Sequence, residues 1–176
     1  MQLSDGEKLI LLMLCEIYDH LKVKGDTDTK LIQSAIFDGH LWALKEKLSG
    51  VFHGSEARPE VVSETTNILW MWTIIEETFE RLSSDDQANV NNQTPAHIRS
   101  KFPGFDAKDE LEYYSVATFK IDHMGQFSRF KGRDLNSHFS TLQRHRALFA
   151  AFEPIIHEAP YQLDADNLIT ILNAGR

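Results

Sequence analysis

The stretch Pro59-Glu-Val61-Val-Ser-Glu-Thr65-Thr-Asn-Ile68-Leu-Trp-Met-Trp72-Thr-Ile-Ile75-Glu-Glu-Thr-Phe79-Glu-Arg-Leu82 decides the fold. Val61, Thr65, Ile68, Trp72, Ile75, Phe79 and Leu82 follow one another at alternating spacings of four and three. That is a helical period, not the two-residue period of a strand. Pro59 stands where a helix takes its first residue, since the N–H it lacks would have no partner there. At 1.5 Å per residue the helix is about 36 Å long. Such a seam needs a second helix at a shallow crossing angle. The partner belongs to the same chain or to a second subunit. On the second reading Ile68, Trp72, Ile75 and Phe79 form an interface.

Upstream the same spacing recurs. Ser4-Asp-Gly-Glu7 reads as a capping box in front of a helix whose stripe is Ile10, Met13, Leu14, Ile17 and Leu21. Leu9, Leu11, Leu12 and Cys15 add apolar surface on its other faces, so it is central in the fold or packs on another subunit. Shorter helices follow at about 29–38 and 41–48, with loop signals at Ser49-Gly50 and His53-Gly54-Ser55. The apolar run Leu9–Cys15 is far short of the roughly 20 residues of a spanning helix. Asp5 and Glu7 stand where a signal peptide carries positive charge. The expectation is a cytoplasmic protein with no membrane segment. Cys15 is the single cysteine, which excludes an intramolecular disulfide and reads as a buried, inert thiol.

Downstream, Ser83–Gln93 is polar, without apolar periodicity, and reads as a surface loop. Thr94-Pro95 opens a short turn holding Ile98, and Pro103-Gly104 favours a tight turn. Asp106 reads as the cap of a helix over 107–123. A helix over 137–158 should be kinked or divided by Pro154, and Asp164 should cap a last one. The fold class is all-α: one multihelical domain spanning 1–176, with no internal repeat.

Composition narrows the functions. The chain has 176 residues, 42% of them apolar, and a net charge of −8. That balance disfavours a broad nucleic-acid footprint. It is unevenly spread: residues 1–100 hold 16 acids and 9 bases, while 101–176 hold 10 and 9. Gln126-Phe-Ser-Arg129-Phe-Lys131-Gly-Arg133 interleaves aromatic rings with bases. Such a pattern stacks a base and holds a phosphate, or grips a carboxylate in an arginine fork. It also suits a basic loop paired with the acidic first half. Glu76, Glu77 and Glu80 read as a solvated face. The pairs Glu16/His20 and Glu153/His157 fall short of the three or four ligands a metal needs, so no metal and no cofactor is expected. No P-loop, nucleophile elbow or dinucleotide fingerprint occurs.

Phe102-Pro-Gly104-Phe105-Asp106-Ala-Lys-Asp-Glu110-Leu-Glu-Tyr113 resembles the F-x-G-F-D-A-x-x-E-x-x-Y signature of the YfbU-like family. Leu31–Gly39 is similar to that family's second helix, and Tyr161–Ala174 to its closing one. The resemblance implies an all-helical domain that self-associates, with no established reaction. Some relatives carry an appended DNA-binding helix-turn-helix, which implies a ligand-sensing or interaction role. Within the signature, Phe102, Phe105 and Asp106 either line a pocket with one carboxylate or form a turn, a helix cap and two packed rings.

The reading that follows is an oligomeric, non-catalytic helical module for a protein partner or regulatory ligand. The alternative is an enzyme or sensor acting on an anionic small molecule or nucleotide. Arg129, Lys131 and Arg133 would then hold the anion and a histidine would act as acid or base. No individual catalytic residue can be named.

Overall fold

A computed structural model describes residues 2–52, 56–95, 98, 100–158 and 163–175, with the backbone alone at Ser49 and Phe52. The expected loop at His53–Ser55 lies outside the described residues. The fold is all-α. Among the described residues the only extended pairing is a single parallel bridge between Phe105 and Asn136. The chain divides into two compact units, Met1–Glu56 and Ala57–Arg176.

The first unit holds α1 (Asp5–His20), α2 (Thr29–Phe37), α3 (Leu41–Lys47) and α4 (Ser49–Phe52), so a short helix follows Leu48 where a loop is expected. Ser4 caps α1 as the sequence predicts. Its Oγ accepts the Glu7 N–H at 3.3 Å, and the Glu7 carboxylate accepts the Ser4 N–H at 2.7 Å. Asp28 caps α2 by accepting the Leu31 N–H, and the Thr29 hydroxyl donates to Asp19 at the end of α1. α2 packs on both α1 and α3. Among the described residues, Cys15, Ala35 and Leu44 are the buried hydrophobics of this unit.

The second unit is built on α5 (Pro59–Arg81), with α6 (Ser84–Gln93), α7 (Leu111–Thr118), α8 (Leu142–Glu158) and α9 (Ala165–Asn173). α5 packs on α7, α8 and α9. Val61, Thr65, Ile68, Trp72 and Ile75 are buried as the spacing implies, but so are Leu69, Met71, Ile74, Glu76 and Thr78. Burial on several sides makes α5 a core helix rather than one strand of a coiled coil. The expected intersubunit seam at Ile68, Trp72, Ile75 and Phe79 is therefore corrected. The first three lie in this unit's own core and Phe79 packs half-buried against it.

Three local expectations also change. Ser83–Gln93 is not a loop. Ser83 caps α6 by accepting the Asp86 N–H, Asp85 and Asp86 suit its positive end, and Val90 is its one fully buried contact. Asp106 does not cap a helix, because α7 starts only at Leu111 and runs on through a π-helical turn at Phe119–His123. α8 is continuous through Pro154, so the proline does not divide it. Asp164 does cap α9, in a capping box with Asn167.

Candidate functional site

Three places bring chemistry-bearing side chains together in the second unit. The first is the acidic edge of α5. Glu76 follows Ile75 into the interior and is 3% exposed, so the idea of a solvated Glu76 is corrected. A buried carboxylate needs a counter-charge and hydrogen bonds. Arg133 supplies a two-pronged fork at 2.7 and 2.8 Å, and the Phe102 N–H donates at 2.9 Å. Arg129 donates to Glu80 at 2.8 Å and lies 3.7 Å from both Glu76 and Glu77. Hydrogen bonding to Glu80 raises the Arg129 guanidinium above its ordinary value, and Glu76 does the same for Arg133. The two arginines converge as an anion clamp would, but on carboxylates of their own chain. Lys131, between them in sequence, is exposed.

Beside this edge opens a cleft of about 740 Å³, lined by Glu76, Glu80, Asn91, Ser100, Lys101 and Arg133 among others. Ser100 and Lys101 were not singled out from the sequence; nothing in their local pattern marks them.

The second place is His145, 0% exposed. Its Nδ1 accepts the Trp72 indole N–H at 3.0 Å, which leaves Nε2 to donate to the Gly104 carbonyl at 3.0 Å. Burial lowers its pKa to about 4, so the ring is neutral with both nitrogens engaged. Phe102 and Phe105 pack against it, with centroids 5.6 and 5.1 Å away. They are core rings, not pocket walls. This histidine is a structural junction.

The third is Glu64, which accepts from Arg146 at 2.6 Å and from the Tyr113 hydroxyl at 2.5 Å. Arg146 holds the Glu64 carboxyl below its usual range, while burial and Glu64 push the Tyr113 hydroxyl up. A phenol shifted that way is a poorer acid, not an activated one. Among the described residues, no group of three or more His, Cys, Asp or Glu is placed to hold a metal ion. No helix among them is long and apolar enough to cross a membrane.

The model of the YfbU domain matches residues 1–174. This chain belongs to the YfbU family. A search of curated proteins found no match. The YfbU-like signature now has a physical reading, position by position. Phe102 and Phe105 fill the core around His145. Gly104 takes φ +88°, and a Cβ there would collide with the Leu135 carbonyl. Asp106 accepts the Lys108 N–H at 2.8 Å and lines an open depression with Asn136, His138 and Phe139 rather than with Phe102 and Phe105. Glu110 accepts the N–H groups of Thr141 and Leu142, at the start of α8, at 2.7 and 2.6 Å. Tyr113 holds Glu64. In this YfbU domain the signature assembles the fold.

Proposed function

We propose that this chain is a non-catalytic interaction module that associates through α1, with a second copy of itself as the partner. One observation carries the reading. Leu9, Ile10, Met13, Leu14 and Ile17 are between 52% and 60% exposed, and Leu21 is 66% exposed. A helix of about 24 Å with so much apolar surface in water is an interaction surface. Ile10 also borders an apolar groove of about 370 Å³ with Leu3, Leu11, Ile32, Leu44 and Leu48. The face suits a twofold pairing. Asp5 and Glu7 open the helix, and Lys22 and Lys24 follow its end. An antiparallel copy would set acids against bases at both ends. The neutral, enclosed His145 and the internally paired arginines support a non-catalytic reading of the described side chains.

Sedimentation equilibrium at micromolar concentration tests it. The wild type should be a dimer or larger. Leu14→Glu and Ile17→Glu should be monomers whose core, reported by Trp fluorescence, still unfolds cooperatively. A wild-type chain that stays monomeric across the range would refute the proposal.

A further inference from the structure

α5 and α8 pack on each other and leave a groove open to solvent along one side. Glu60, Ser63, Glu64 and Asn67 recur at helical spacing on one face of α5. Arg146, Phe149, Ala150 and Glu153 do the same on α8. The trough between them has a volume of about 740 Å³ and an apolar floor. On that floor Ile68 is buried, Phe149 is half-buried, and the small side chain of Ala150 is exposed. The Glu64–Arg146 pair, at 2.6 Å, ties the two walls together, so the groove is built before anything enters it. From Glu60 to Ile68 the α5 wall rises about 12 Å, a little over two helical turns.

Charge selects the occupant. Three carboxylates, of Glu60, Glu64 and Glu153, against the one guanidinium of Arg146 leave the lining at −2. Arg58, next to Pro59, does not offset this, because its backbone N–H and its guanidinium are bonded to Glu112. Arg146 is spent on Glu64 and the Tyr113 hydroxyl. Glu60 and Glu153 are exposed and, among the described residues, take part in no ion pair. An apolar floor between unpaired carboxylates fits a molecule that is apolar along one side and basic along its edges. An open trough of about two turns between two helices is the seat of a third helix. A second copy of this chain is a poor match. It carries −8, and its Arg58, Arg129, Arg133 and Arg146 are each bonded to carboxylates of their own chain.

We propose that this groove docks a basic amphipathic helix of another protein. The apolar stripe of that helix lies on Ile68, Phe149 and Ala150, and lysines or arginines on its flanks meet Glu60 and Glu153. This is independent of the α1 face, since every residue of the groove belongs to the second unit.

Backbone-amide NMR titration of the isotopically labelled full chain tests the site. The probe is a peptide of about 14 residues in which Leu and Lys follow helical spacing. A peptide of the same composition with Leu and Lys alternating, a helical one with Glu for Lys, and spermidine as a small amine are titrated alongside. The helical Lys peptide should give saturable shifts centred on Ser63, Asn67 and Ala150, at lower concentration than the alternating peptide or spermidine, and the Glu peptide should give none. Ala150→Gln lays a polar chain on the floor without changing the charge, and Glu153→Lys reverses one charge of the rim. Both side chains are exposed, so both variants should melt as the wild type does while binding about ten-fold more weakly. Asp122→Lys, the same change of charge outside the groove, should bind unchanged. Leu14→Glu, which spoils the α1 face, should bind unchanged too. The proposal is overturned if the helical Lys peptide does not saturate, if the shifts centre elsewhere, or if the alternating peptide or spermidine binds as tightly. It is equally overturned if Ala150→Gln and Glu153→Lys fold normally and bind unchanged, or if Asp122→Lys or Leu14→Glu weakens binding as much as they do. Sedimentation of the same samples without peptide reads the α1 association separately, so either idea can fail without the other.

Discussion

The Trp72 indole N–H donates to Nδ1 of His145 across 3.0 Å, joining α5 to α8 inside the core. This bond exists only while the ring is neutral, because a protonated imidazole has no acceptor. Burial is the main cause of the lowered pKa, assisted by Arg144 and opposed by the Gly104 carbonyl and by Glu110. The unfolded chain binds a proton near pH 6.5, the folded chain only near about 4. Between those values the unfolded state holds more protons, so stability rises with pH. The contribution is complete above about pH 6.5 and is lost as pH falls toward 4. Its full size is on the order of 3 kcal/mol. Urea unfolding from pH 7.5 to 4.5 should show this slope, and His145→Gln should flatten it. An equal slope in the variant would exclude His145 as its source.

Gly104 should tolerate no side chain. Its φ of +88° strains any L-residue, and a Cβ would meet the Leu135 carbonyl, part of the backbone that bonds the Phe105 N–H at 2.9 Å. Gly104→Ala is expected to lose more than about 2 kcal/mol in urea unfolding, with an unchanged m-value. A loss within experimental error would mean that the turn yields.

Glu110 should matter through its charge. Its carboxylate accepts the N–H groups of Asp106, Thr141 and Leu142 and the Thr141 hydroxyl, tying the signature turn to the positive end of α8. Glu110→Gln keeps the shape but turns an NH₂ toward donors. We expect a loss of about 2 kcal/mol and faster hydrogen exchange at the first turn of α8. Uniform exchange across the unit would argue against this local role.

The Glu76–Arg133 pair should be strongly coupled. Removing Arg133 strands a carboxylate that is 3% exposed, although the arginine side chain itself is 34% exposed and partly screened. Arg133→Gln is expected to cost about 2 kcal/mol, less when Glu76→Gln is already present. A double-mutant cycle in urea measures the difference, and strictly additive losses would show that the pair is not a unit.

Local rules carried much of the fold. The caps at Ser4 and Asp164, the starts of α2 and α5, and the helical class itself depend on neighbours within one turn. Such neighbours are visible in a linear string. α6 was missed because it has no apolar stripe: one capping serine, two acids and Val90 suffice once α9 packs against it. The arginines at 129 and 133 and the glutamates at 76 and 80 were each noticeable, but their pairing spans about 50 residues and no spacing rule connects them.

The sequence by itself determined an all-helical YfbU domain, where most of its helices begin, and which faces are apolar. Only the tertiary structure decided which apolar faces are covered. The α5 stripe is enclosed by its own unit, whereas the α1 stripe, similar on paper, stands exposed. It also decided that Arg129 and Arg133 of the basic loop are met by carboxylates of their own chain. The reason is physical. Capping and periodicity are short-range and recorded in neighbouring residues, while burial and charge pairing depend on what folding brings alongside.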